Sequence, residues 1–143
     1  MTFSELIRSE EEILKRLLLV SERQVELAQD GNATALTEYL GQRSLLWHEF
    51  EMLEQQLEPH KGIPPEQRKW KNDRERQMTA EALDRCKALM EQILANDQVS
   101  IDTTAEKMKE VNEQRQRVER GATVAPAYMR QSRQFPDGDN NRK

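Results

Sequence analysis

The chain has 143 residues, enough for one domain. Hydrophobic residues make up 36% and charged residues 34%, with a mean hydropathy of −0.95, which excludes a thick globular core and suits slender helices that bury one stripe. The net charge of −4 argues against a nucleic-acid partner, whose binding rests on neutralised phosphates.

The first helix is expected over residues 4–29. Its stripe is Leu6, Ile13, Leu17, Val20 and Leu27, with polar Glu10 and Gln24 filling the remaining seam positions. The steps alternate three and four, as a helix seam requires. Ile7, Leu14, Leu18 and Val25 widen the stripe, and Glu11–Lys15 and Glu12–Arg16 are i,i+4 pairs in the favourable order. Gly31 stands where a left-handed residue closes a helix.

Asn32 is the expected N-cap of a second helix over residues 33–57. Its stripe is Leu36, Leu40, Arg43, Trp47, Phe50, Glu54 and Leu57, thickened by Tyr39, Leu46 and Leu53. The short Asp30-Gly31-Asn32 turn forces the two helices into an antiparallel hairpin.

Pro59, Gly62, Pro64 and Pro65 mark the one mid-chain loop. A third helix is expected over residues 65–120, with Pro64 or Pro65 in its first turn. At 1.5 Å per residue it would be about 80 Å long. Its stripe is Leu83, Cys86, Met90, Ile93, Asp97, Ile101, Thr104, Met108, Val111, Arg115 and Val118. Asn96-Asp97 and Ser100 are its expected weak spot, because such side chains compete with helix hydrogen bonds. The fold class expected is all-α: a helical hairpin packed on a long third helix, forming a coiled-coil-like bundle over residues 1–121. Residues 122–143, ending PDGDNNRK, read as a disordered tail.

Little in the sequence points to catalysis or to a bound metal or cofactor, and none of these is expected. The histidines are His48 and His60; Leu45 stands where a Glu-x-x-His motif needs glutamate, and His48-Glu49 lacks the second histidine of HExxH. No two glycines lie close enough for a phosphate loop. Cys86, the single cysteine, excludes an intrachain disulfide and fits a reducing compartment; its place on the apolar seam suits an inert thiol better than a nucleophile. Arg68-Lys69-Trp70-Lys71, with Arg74 and Arg76, is a basic cluster with an aromatic, but Asp73 and Glu75 dilute it. Its plainer reading is a charged first turn with Trp70 folded onto the hairpin. The N-terminus MTFSELIRSEEE has no signal-peptide pattern, and the longest apolar run, Leu17–Val20, falls far short of the roughly 20 residues that cross a bilayer. A cytoplasmic location without membrane insertion is expected.

The third stripe is longer than the hairpin that would cover it, so part of it is expected to take a partner. Met90, Ile93, Leu94, Ile101, Met108 and Val111 are the candidate groove, because exposed apolar stripes mark interfaces and methionines adapt to varied partners.

Two blocks carry a family resemblance. ILKRLLLVSERQVELAQDGNATALTEYLGQRSLLWHEFEMLEQQL joins two leucine-rich helices through Asp30-Gly31-Asn32 with Ala35-Leu36 just after. ILANDQVSIDTTAEKMKEVNEQRQRVERGATVAPAYMR has an acidic residue in mid-seam (Asp97), a glycine after the helix (Gly121) and a tyrosine soon after (Tyr128). Over most of residues 10–130 the chain resembles the FlgN-type flagellar export chaperones, and more loosely the FliT type. It departs from their pattern in the leucine-poor QVSIDTT and in Pro126. The resemblance implies a cytoplasmic chaperone that binds the amphipathic C-terminal helices of hook-associated proteins before type III export, with Tyr128 contacting the export gate. The alternative is a structural coiled-coil homodimer or an adaptor with no export role.

Overall fold

A computed structural model describes residues 1–124. It contains α1 (Phe3–Asp30), α2 (Ala33–Lys61), a 3-10 turn (Pro65–Gln67) and α3 (Asp73–Val124), with no strand among the described residues. The described chain divides into a unit of Met1–Thr104 and a second beginning at Ala105. The protein is all-α, and in the first unit the hairpin packs on α3.

The hairpin turn follows the chemistry of its three residues. Gly31 takes φ 71°, a left-handed conformation that costs glycine little, and its N–H reaches the Ala28 carbonyl oxygen at 3.2 Å. Asn32 Oδ1 then accepts the Ala35 N–H and caps α2. At the other end of α1, Thr2 caps through the Glu5 N–H.

Three boundaries differ from expectation. α3 runs through Gly121 to Val124 instead of ending at residue 120, and the rest of the expected tail lies outside the described residues. α2 does not stop before Pro59 but runs to Lys61, carrying the proline inside its last turns. Arg68 Nη2 donates to the His60 carbonyl at 2.9 Å, satisfying one of the orphan acceptors there. α3 begins at Asp73, not at residue 65. Asn72 accepts the Glu75 N–H at 2.8 Å, and the Glu75 carboxylate accepts the Lys71 N–H at 3.3 Å, a reciprocal cap that fixes the helix start. Arg68-Lys69-Trp70-Lys71 therefore precedes the helix. Arg68 stacks over the Phe3 ring at 4.1 Å, and Trp70 meets Phe3 edge-on at 6.2 Å, so the tryptophan does fold onto the hairpin. The expected weak spot at Asn96-Asp97 and Ser100 is continuous helix.

Leu6, Ile7, Ile13, Leu14 and Leu17 of α1, Leu53 and Leu57 of α2, and Ala82, Cys86 and Ile93 of α3 form the core. Each large side chain so buried contributes about 1.5–3 kcal/mol. Cross-links fix the helix directions. Ser4 and Thr79 hydroxyls lie 3.0 Å apart, Arg85 Nε donates to Glu11 at 2.7 Å, and Asn96 Nδ2 donates to Ser21 Oγ at 3.0 Å. The separations in sequence are 75, 74 and 75, so α1 and α3 run parallel with a fixed offset.

Candidate protein-docking face of the third helix

What α3 buries follows a strict seven-residue repeat. Thr79, Cys86, Ile93 and Ser100 are all buried, and Ala82, Leu89, Asn96 and Thr103 are buried or half-buried between them. This repeat is not the most apolar register that the sequence offers. Ile101 stands eight residues after Ile93 and is therefore rotated from it by about 80°, whereas Ser100, seven on, is rotated by only about 20°. The hairpin covers the arc around Ile93, and Ser100 falls under that cover in place of Ile101.

The expected groove residues consequently separate. Ile93 is 0% exposed and belongs to the core, so it is corrected from partner contact to internal packing. Met90 is half-buried against that core. Leu94 and Ile101 lie on one flank of the seam, 56% and 60% exposed. Leu83, at the same rotation from Ile93, extends that flank. In the second unit, Met108 and Val111 are 63% and 54% exposed. Tyr128 lies outside the described residues.

The exposed flank lies toward α2. Asn96 bonds to Ser21 of α1, while neighbouring Asp97 turns to Arg43 of α2, and Leu94 and Ile101 lie beyond Asp97 in the same sense. The antiparallel register set by Arg43 and Asp97 brings Trp47 level with Ile93, and Phe50 level with Met90. Trp47 and Phe50 are half-buried and pack edge-on at 5.3 Å. Both pack against the core, and the sequence places them in the stripe of the second helix and not in the candidate groove. Leu40, exposed on α2, lies level with Ser100 in that register.

Polar contacts hold this face in shape. Arg43 makes a two-pronged ion pair with Asp97, donates to Gln24 Oε1 of α1 at 3.2 Å, and sits 5.7 Å from the Trp47 ring. One guanidinium therefore joins all three helices. Nearer the start of α1, Arg85 holds the Glu11 carboxyl below its ordinary range by hydrogen bonding, which outweighs the opposing effect of burial.

Cys86 is buried 4.0 Å from the Ile7 carbonyl oxygen. Burial, reinforced by the charges of Glu10 and Glu11, pushes its thiol up to about 12, so it is not ionised near neutrality. Among the described residues no group of three or more His, Cys, Asp or Glu is placed to hold a metal ion, and no helix is long and apolar enough to cross a membrane. The shape and chemistry of the face suit apolar docking of another helix. Compared with models of known families, with curated proteins and with solved structures, the chain gives no match.

Proposed function

We propose that the protein is a helical docking chaperone that receives an amphipathic helix of another protein on the exposed apolar residues of α3. The observation that carries this reading is the exposure of Leu94 and Ile101 beside a seam already filled by Ser100 and Ile93. A protein that needed these side chains only for its own core would bury them. Large apolar groups held in water on a rigid helix cost solubility unless a partner uses them. Met108 and Val111 of the second unit are likewise exposed apolar residues.

The resemblance to FlgN-type chaperones gives this partner a class: the amphipathic C-terminal helices of hook-associated proteins, held in the cytoplasm until flagellar export. Titration of the full chain with synthetic C-terminal helices of hook-associated proteins from the same genome tests the proposal. Micromolar or tighter binding with a negative heat-capacity change is expected, since apolar burial produces that sign. Absence of binding to every such helix would refute the export role.

One observation favours a second reading. Leu94, Ile101 and Met108 are spaced by seven, the repeat of a two-stranded coiled coil. On that reading the partner is a second copy. Sedimentation separates the two: a dimer persisting at nanomolar concentration supports the structural homodimer, and a monomer supports the chaperone.

A further inference from the structure

Glu10 and Glu11 are adjacent, both buried, and oppositely served. Glu11 receives Arg85 through two hydrogen bonds, at 2.7 and 3.1 Å. Glu10 is 8% exposed, and its Oε2 has no hydrogen-bond partner. Across the α1–α2 interface its carboxyl meets that of Glu54, within hydrogen-bonding reach. Glu10 is buried while the Glu54 side chain stays 32% exposed, so charge on Glu10 beside Glu54 is costly, and one proton placed between them turns repulsion into a hydrogen bond. Lys61 Nζ lies 2.8 Å from Glu54, and Glu10, the more deeply buried of the two carboxyls, is the member that carries the proton. From α3, Cys86 faces the pair as a neutral thiol, and Arg85 is committed to Glu11.

We propose that Glu10 and Glu54 form a proton-sensitive latch, in which one shared proton holds α1 against α2 and its loss loosens the hairpin at the level of Cys86. The register agrees: Glu54 and Cys86 stand equal distances along their helices from the Arg43–Asp97 pair. Burial, then the charge and hydrogen bond of Glu54, push the Glu10 carboxyl up to about 7, against a smaller opposing pull from Lys61. The folded chain thus keeps this proton to a higher pH than the unfolded chain does. The stability it confers is complete below pH 4.5 and is lost as pH rises through about 7. Closure of the hairpin then responds to pH in the neutral range, where ordinary carboxylates do not.

Carbon-detected NMR titration of the glutamate carboxyls in the intact chain tests the latch, together with urea unfolding from pH 4.5 to 8.5 for the unaltered chain and Glu10→Gln. A midpoint near 7 is expected for one carboxyl, absent from Glu10→Gln. The unfolding constant of the unaltered chain should rise by up to about tenfold per pH unit between 4.5 and 7, and that of Glu10→Gln much less. Titration of Glu10 near 4.5, or an equal slope in both proteins, would overturn the proposal. If Glu10→Gln does not fold, the midpoint of Glu10 in the unaltered chain, assigned through its backbone, decides by itself.

Discussion

Arg43 of α2 and Asp97 of α3, each a polar interruption in an otherwise apolar stripe, are partners in a two-pronged ion pair that also engages Gln24, the polar seam residue of α1. One polar interruption from each of the three stripes meets the others in space. A layer of this kind fixes register, because sliding any helix by one turn would leave a largely buried charge unpaired.

Breaking that layer from one side should be costly. Asp97→Ala leaves Arg43 largely buried without its carboxylate and is expected to destabilise the protein by about 3 kcal/mol. Replacing both, as Arg43→Met with Asp97→Leu, should recover most of that loss, since an apolar pair of similar volume needs no desolvation of charge. Urea unfolding of the two variants measures both values.

The heptad seam of α3 makes the two isoleucines unequal. Ile93→Ala removes a wholly buried side chain and should cost about 3 kcal/mol. Ile101→Ala, on the exposed flank, should change stability by no more than about 0.5 kcal/mol. Equal costs at the two positions would mean that the seam follows the apolar residues instead of the seven-residue repeat.

Glu11 gives the opposite pH dependence to Glu10. Its carboxyl lies below the ordinary range, chiefly through the hydrogen bonds from Arg85. The folded chain gives up that proton more readily than the unfolded chain, so the stability Glu11 adds is present above pH 4.5 and lost as pH falls below it. Thermal melts between pH 3 and 6 should show a shallower acid loss for Glu11→Gln than for the unaltered chain.

Cys86 should behave as a core residue. With its thiol pushed up to about 12 and enclosed by α1 and α3, reaction with a disulfide reagent at pH 8 should proceed only through unfolding. Labelling in native buffer is expected to be orders of magnitude slower than in 6 M urea. Comparable rates in the two solvents would place the thiol at the surface.

Local chemistry made the hairpin legible in the sequence. The Asp30-Gly31-Asn32 turn needs only a left-handed glycine and an asparagine cap, and both do what their chemistry dictates. The start of α3 was legible too, in Asn72-Asp73-Arg74-Glu75, but the prolines at 64 and 65 gave a louder signal for a helix start and drew the boundary forward. What periodicity could not give was rotation. Ile93 and Ile101 are equally apolar, and only the place of the hairpin decides that Ser100, not Ile101, goes beneath it. The same limit kept Trp47 and Phe50 out of the expected face, since their half-buried state depends on where α3 lies.

On the proposed function, the uncovered flank of α3 receives another protein's helix. Affinity of Ile101→Asp for a hook-associated C-terminal helix, measured by calorimetry beside circular dichroism of the same sample, tests it most directly. At least a thirtyfold loss of affinity, about 2 kcal/mol, is expected, with helix content and melting temperature unchanged. Unchanged affinity in the well-folded variant, or collapse of the fold itself, would contradict it.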